Sequence, residues 1–181
     1  MGERPFEQRV GVMNATASAR ASEAQGQEQG FKQRYLECLN LVERLHRQLL
    51  DVIKDELERV NQPDVNSVQA LLLFNIGEQE LTAGELRTRG HYLGSNVSYN
   101  LKKLVEGGFI NHVRSESDRR SVRVSLTEKG RDIRKIVASL FDRHVHLVEP
   151  AGGLELSEFA HLNKALQRLE RFWMDQVRYR L

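Results

Sequence analysis

The sequence predicts a mainly α fold with a small β-hairpin, an α+β chain with long helices at both ends. Three observations predict it. Apolar residues recur every three or four positions over residues 31–60, and again over residues 128–177. Glycines and helix caps mark short helices between these stretches. Apolar and polar residues alternate, as in half-buried strands, only in residues 109–126.

Composition excludes several classes of protein. The chain has 181 residues, 40% of them hydrophobic and 29% charged, which suits one domain with appendages. Its longest apolar cluster, Ala70–Phe74, is far shorter than the roughly 18–20 residues of a membrane span. The single cysteine, Cys38, excludes an internal disulfide framework and a thiolate zinc cluster. With no secretory signal, we expect a cytoplasmic protein that does not bind membranes.

The N-terminal part divides into a tail and a long helix. Residues 1–30 are poor in bulky apolar side chains, so we expect a disordered tail. The segment 31–63 is predicted to form one helix from Phe31 to about Val60, ended by Gln62-Pro63 and roughly 45 Å long at about 1.5 Å per residue. A helix of that length exceeds what one small domain covers, so we predict a dimerisation helix.

Caps and glycines predict the elements of residues 64–126. Asn66 caps a helix through Ile76, and Thr82-Ala83-Gly84-Glu85 fits the capping box at the start of a short helix. Ser95 caps a further helix, with Val97, Leu101, Leu104 and Val105 on its buried face, and Gly107-Gly108 stops it. Two helices around a glycine-bearing turn are a helix-turn-helix.

A β-hairpin and two more helices complete the chain. Strands at Phe109–Arg114 and Val122–Leu126 enclose a polar loop, which makes a wing after the second helix. Thr127 caps a long helix that ends near Pro150, and Ser157 begins the last helix. We therefore divide the chain into a winged helix-turn-helix DNA-binding domain, residues 64–126, and C-terminal dimerisation helices, residues 127–181.

Positive charge is concentrated in one segment of the chain. Residues 87–135 contain twelve Lys and Arg against five Asp and Glu, although the whole chain is only +2. A basic segment on an acidic remainder indicates one surface that faces a polyanion. The alternative is that these side chains scatter over several solvated faces.

The second helix of the helix-turn-helix has side chains suited to DNA. Amides and hydroxyls hydrogen-bond base edges, and lysines neutralise phosphates. The candidate recognition-helix residues are Ser95, Asn96, Ser98, Tyr99, Asn100, Lys102 and Lys103. We expect Asn96, Ser98 and Tyr99 near bases and the lysines near the backbone. An ordinary solvated helix face is the alternative.

The loop of the hairpin supplies the wing candidates Asp118, Arg119 and Arg120. An arginine there can enter the narrow, electronegative minor groove. Asp118 would hold the guanidinium of Arg120 or of a nearby arginine in place. A solvated turn with incidental charges is the alternative.

At this point the sequence resembles a known family. Leu104-Val105-Glu106-Gly107-Gly108-Phe109-Ile110, followed by Asp118-Arg119-Arg120 and then Leu126-Thr127-Glu128-Lys129-Gly130, is similar to the winged-helix region of MarR-type transcriptional regulators. The resemblance implies an obligate homodimer on palindromic double-stranded DNA, most often a repressor relieved by a small aromatic or phenolic ligand, a metal or an oxidant. The long N-terminal segment and Cys38 resemble an alphaproteobacterial, LdtR-like branch of that family.

Candidates for sensing carry a weaker signal. The candidate ligand pocket comprises Cys38, Ile53, Leu71, Phe74 and Asn75, of which Leu71 and Phe74 also suit plain core. Cys38 is the candidate redox residue, but it lies on the apolar stripe, where cysteine behaves as a small hydrophobe. The six histidines show no ligand spacing, so we expect no metal.

We therefore expect a sequence-specific DNA-binding regulator, a homodimeric repressor relieved by a small molecule or oxidant. No phosphate-binding loop or nucleophile motif is present, so we expect neither an enzyme nor a cofactor. The alternative from another class is a winged-helix scaffold whose basic face binds an acidic protein.

Overall fold

The computed structural model describes residues 6–82, 85, 94–114 and 122–179. Within these ranges the side chains of residues 6–22, 24, 94–97, 114 and 122 are left undescribed. The described residues form five helices and three strands. The helices are α1 (Phe6–Arg59), α2 (Ser67–Ile76), α3 (Gly94–Glu106), α4 (Glu128–Val148) and α5 (Leu156–Tyr179). The strands are β1 (Leu81–Thr82), β2 (Ile110–Arg114) and β3 (Val122–Leu126).

The chain separates into two compact units, residues 1–51 and 52–181. The described part of the first unit consists of α1, which begins well before the expected start at Phe31. Residues 6–30, expected as a disordered tail, are therefore helical in the structure. Their alanines, glutamates, glutamines and arginines favour helix, and no proline lies between Pro5 and Pro63 to interrupt it.

The second unit contains a three-stranded antiparallel sheet in the order β1–β3–β2. The central strand pairs Leu81 with Val124 on one side and Ile110 with Leu126 on the other. Strand β1 was not expected, because two residues are too few to show an alternating pattern. The expected hairpin and the mainly helical class are confirmed.

The core of the second unit lies between the end of α1, helix α2, the sheet and the first half of α4. Its fully buried side chains include Ile53, Leu72, Leu73, Ile76, Val124, Ile133 and Val137. By contrast, α5 buries none of its residues completely, although it has 24 of them. None of the described helices is both long and apolar enough to cross a membrane.

Several predicted caps are confirmed. Asn66 Oδ1 accepts the Gln69 N–H at 2.9 Å, and the Gln69 side chain accepts the Asn66 N–H at 3.1 Å, which completes a capping box. Thr82 and Glu85 make the same reciprocal pair of bonds. Helix α1 ends at Arg59, and Asn61 adopts a positive φ of 52° just before Pro63.

Candidate nucleic-acid interface

Helix α3 presents the predicted outer face to solvent. Tyr99 is 62% exposed, the Lys102 side chain is 76% exposed, and Ser98 is also exposed. Leu104 is buried and Leu101 half-buried on the opposite face. This separation follows from the spacing of three residues between Leu101 and Leu104, which keeps one stripe apolar.

Some predicted residues differ from expectation or cannot be placed. Asn100, expected on the outer face, is half-buried. Val105, expected in the core, is 38% exposed, because the apolar stripe through Leu101 and Leu104 already fills the contact with the core. The side chains of Ser95 and Asn96 lie outside the described residues.

A corner formed by Leu126–Gly130 holds α3 and α4 together. The Thr127 hydroxyl donates to the Gly108 carbonyl at 2.8 Å and accepts the Gly130 N–H at 3.1 Å, so it caps α4 as predicted. The Thr127 N–H donates to the Phe109 carbonyl at 3.1 Å. One residue thus ties the turn after α3 to the first turn of α4.

Glycine is required at position 130 by close packing of backbone. A Cβ there would lie 2.0 Å from the Phe109 carbonyl oxygen, a distance that no side chain tolerates. Lys129 extends the same corner, because its Nζ lies 4.1 Å from the centroid of the Phe109 ring and 3.3 Å from the Gly107 carbonyl. Gly108, at φ 71°, makes the turn that L side chains disfavour.

The hairpin continues from this corner toward the predicted wing. Strands β2 and β3 pair from Ile110 and Leu126 to Arg114 and Val122, the last described pair before residues 115–121. The wing candidates Asp118, Arg119 and Arg120 lie outside the described residues. The structure describes the two paired strands, β2 and β3, that precede and follow these residues in the chain.

Acidic residues between α2 and β1 neutralise part of the basic segment. Glu78 pairs with Arg134 at 2.8 Å and with Arg131 at 3.5 Å. Glu80 pairs with Arg123 at 3.2 Å across the sheet. Residues 64–86 add four acidic residues and no basic one, so residues 64–135 hold twelve basic against nine acidic side chains. The charge excess is therefore smaller than the segment 87–135 alone indicates.

On α3 itself, Lys102 and Lys103 share one carboxylate. Glu106 lies 2.9 Å from the Lys103 ammonium and 3.9 Å from that of Lys102. The hydrogen bond from Lys103 lowers the pKa of Glu106, and the same bond raises the pKa of Lys103. One carboxylate thus offsets part of the charge of the two predicted phosphate-contacting lysines.

A groove of about 470 Å³ separates α3 from the hairpin. It is lined by Ser98, Leu101, Lys102, Val105, Glu106, His112 and Val124. Its floor is apolar and its rim carries the lysine and glutamate of α3. The groove therefore places Ser98, Lys102 and Glu106 on a common side of the helix.

The candidate ligand-pocket residues fall in different settings. Cys38 belongs to the first unit and is half-buried. Ile53 is part of the core of the second unit, and Leu71 packs against that core. Phe74 also packs there, with its ring edge-on to Phe141 at 5.0 Å between centroids. Core packing accounts for these three side chains, while Asn75 is half-buried. Among the described residues no group of three His, Cys, Asp or Glu is placed to hold a metal.

An ion cluster around one buried carboxylate was missed by sequence reasoning. Glu56, 8% exposed, accepts hydrogen bonds from Arg59 at 2.7 and 2.9 Å and is 2.7 Å from Arg143. These bonds, chiefly those from Arg59, lower the pKa of Glu56 from 4.5 to about 2. The spacing of Glu56 and Arg59 is a visible signal, but the contribution of α4 depends on the tertiary fold.

Comparison with known proteins agrees with this architecture. Residues 65–130 match the family model of a winged helix DNA-binding domain. The exopolysaccharide II synthesis transcriptional activator ExpG of Rhizobium meliloti (strain 1021) is 37% identical over 149 residues, which cover 80% of this chain and 74% of that protein. This chain belongs to the MarR family of winged-helix regulators.

Solved structures show the same fold. FabT of Streptococcus pneumoniae in complex with DNA superposes with a TM-score of 0.61 at 24% identity, covering 78% of this chain and 98% of FabT. AbsC, a MarR family transcriptional regulator of Streptomyces coelicolor, gives 0.60 at 21% identity, covering 77% and 93%. The MarR-family chain is a DNA-binding transcriptional regulator, and its family and fold are those of regulators, not enzymes.

Proposed function

We propose that this MarR-family chain binds a palindromic operator as a homodimer, with α3 of each protomer in a major groove and each wing in the flanking minor groove. The observation that carries the proposal is the exposed row Ser98, Tyr99 and Lys102 on α3. The corner at Thr127 fastens that helix to the arm of the hairpin. The bonds at Thr127 thus join α3 to the described strands of the hairpin, which suits a helix and a wing that bind adjacent grooves.

Each group has a proposed part. Ser98 and Tyr99, with Asn96, contact base edges, since the start of a recognition helix lies deepest in the groove. Lys102 and Lys103 contact phosphates. Arg120 enters the minor groove, and Asp118 orients its guanidinium. The structures of FabT and of a mutant of E. coli MarR were each solved with DNA, which supports the same use of the fold here.

The proposal of a dimer is supported by apolar side chains that the single chain leaves exposed. Large exposed side chains of α5 include Leu162, Leu166, Phe172, Trp173 and Val177, and those of α1 include Phe31, Leu41, Leu45 and Leu49. Exposed apolar side chains in such numbers on each of the two helices mark interaction sites rather than solvated surface. We propose that a second copy of this chain covers these side chains. The second copy presents an apolar helical stripe made of the same residues, so the two stripes can pack together.

The oligomer is tested by light scattering after size exclusion. Leu162→Glu and Leu166→Glu place a charge in the proposed interface, so we expect monomers and loss of operator binding. Gln167→Glu adds the same charge one position along the helix and serves as the control. Dimers that persist in both leucine variants would refute α5 as the interface.

DNA binding is tested by fluorescence anisotropy on the duplex upstream of the protein's own gene, with competitor DNA. Arg120→Ala should weaken binding by about 1–3 kcal/mol. Lys102→Ala should weaken binding to all duplexes and reduce the salt slope by about one. Lys54→Ala is the matched control, because Lys54 also pairs with a glutamate four residues later and is 64% exposed. Equal losses in Lys54→Ala and Lys102→Ala would reject α3 as the reading helix.

The sign of regulation and its signal are separate parts of the proposal. The family resemblance favours a repressor relieved by a small molecule or oxidant, whereas the relative ExpG is named an activator. A promoter fusion in a strain lacking the gene decides, since higher expression supports repression and lower expression supports activation. Release from DNA by peroxide that persists in Cys38→Ser would exclude the cysteine as the sensor.

A further inference from the structure

Glu106 is an acidic residue on the face of α3 that we propose to approach DNA. It lines the groove beside the hairpin together with Ser98 and Lys102. It is also the ion-pair partner of both Lys102 and Lys103, at 3.9 and 2.9 Å. A carboxylate on such a surface opposes binding to a polyanion, so its presence there needs a reason.

Helix stability does not supply that reason. Glu106 is the last residue of α3, where the helix dipole disfavours negative charge. The pair with Lys102 also has the lysine four residues before the glutamate, which is the weaker orientation for a helical pair. The pair with Lys103 at 2.9 Å offsets part of these effects, so Glu106 gives the isolated helix little net gain in stability over a neutral residue.

We propose that Glu106 is a charge-balancing residue that limits the affinity of α3 for DNA of any sequence, by competing with phosphates for Lys102 and Lys103. The inference rests on the proposed function, since it requires α3 to face the duplex. In free protein the two ammonium groups share one carboxylate. On DNA each must leave Glu106 for a phosphate, and the carboxylate then stands beside the backbone as a like charge.

The magnitude follows from counterion release. Removing one negative charge from the contact surface equals adding one phosphate neutralisation, which steepens the salt slope by about 0.9. Relative to 1 M salt, that slope corresponds to about an eightfold gain in affinity at 0.1 M. The gain applies to random duplex as well as to the operator, because phosphates carry no sequence information.

The test is anisotropy with a random-sequence duplex from 0.05 to 0.3 M salt, using Glu106→Gln in the full chain. We expect affinity about eightfold higher at 0.1 M and a slope steeper by about 0.9. Glu58→Gln is the matched control, since Glu58 pairs with Lys54 in the same orientation and is 65% exposed. The control should leave both quantities within error of the parent chain.

A double-variant cycle tests whether Glu106 acts through the lysines. In Lys102→Gln/Lys103→Gln the further change Glu106→Gln should raise affinity by less than half of its effect in the parent chain. An undiminished gain, or an equal gain in Glu58→Gln, would overturn the inference.

Failure of the inference differs from failure of the proposed function. Unchanged affinity in Glu106→Gln, together with weaker binding in Lys102→Ala, refutes only the charge-balancing role. Unchanged affinity in both variants refutes the placement of α3 on DNA. A circular dichroism melt of each variant checks that the fold is intact. We expect no change in the melt of Glu106→Gln, because the side chain is about half exposed.

Discussion

Replacement of Glu56 by glutamine should lower the stability of the second unit and change how that stability depends on pH. Glu56 accepts two hydrogen bonds from Arg59 and lies 2.7 Å from Arg143 of α4. Its pKa falls from 4.5 to about 2, chiefly through the bonds from Arg59. At about 1.36 kcal/mol per pKa unit, the ionised carboxylate contributes up to about 3 kcal/mol to folding.

Solvent reduces that value. The arginine side chains are 62% and 47% exposed, so water screens each pair, and we expect Glu56→Gln to cost about 2 kcal/mol at pH 7. The folded-state pKa is depressed, so the contribution is complete above pH 4.5 and is lost as pH falls toward 2. The difference between the parent chain and the variant should therefore be constant from pH 7 to 5.5 and shrink below pH 4.5.

Urea unfolding followed by circular dichroism at pH 7, 5.5, 4.5 and 3.5 measures that difference. Protomer concentration is held fixed, because association changes apparent stability. Glu58→Gln is the control, since its exposed pair with Lys54 contributes less than about 1 kcal/mol. A loss for Glu56→Gln no larger than that of the control, or a difference that does not change between pH 5.5 and 3.5, would refute the cluster as a stabilising contact.

Three further variants examine the corner between α3 and α4 by thermal unfolding. Gly130→Ala should destabilise the fold by about 1–3 kcal/mol, because the added Cβ would lie 2.0 Å from the Phe109 carbonyl oxygen. An unchanged melting temperature would mean that the two backbone segments are farther apart. Thr127→Ala loses the cap and the bond to Gly108, for about 1–2 kcal/mol, and Thr127→Ser should restore most of it. Lys129→Met keeps the aliphatic stem but removes the charge over the Phe109 ring and the pair with Asp64 at 3.4 Å, so we expect a loss of about 0.5–1 kcal/mol that higher salt diminishes.

Features that depend on neighbouring residues could be predicted from the sequence. At the caps Asn66, Thr82 and Thr127, the side-chain oxygen accepts the N–H of the residue three positions later. The local residue types therefore suffice to predict each of these hydrogen bonds. The hairpin and the stop at Gly107-Gly108 follow from alternation and from glycine in the same way. The exposed face of α3 follows from helical periodicity, which is why Tyr99 and Lys102 lie where they were expected.

Features that depend on contacts between distant residues could not be predicted from the sequence. Strand β1 exists because Leu81 and Thr82 meet β3, and two residues carry no periodicity of their own. Glu56 gains Arg143, and Arg123 gains Glu80, only after the chain folds. The start of α1 at Phe6 was missed although the local sequence indicates it. Residues 6–30 have a high helix propensity, but their lack of bulky apolar side chains led to the prediction of a disordered tail.

The corner at residues 126–130 limits the relative motion of α3 and the strands of the hairpin. Leu126 ends β3 in register with Ile110, and Thr127 immediately caps α4 while holding the turn after α3. Relative motion of α3 and the hairpin would break these bonds and separate the Gly130 backbone from Phe109. Because packed corners are not continuously deformable, we expect that a signal releasing the proposed homodimer from DNA would move α3 and the strands of the hairpin together, by changing the spacing of the two proposed protomers.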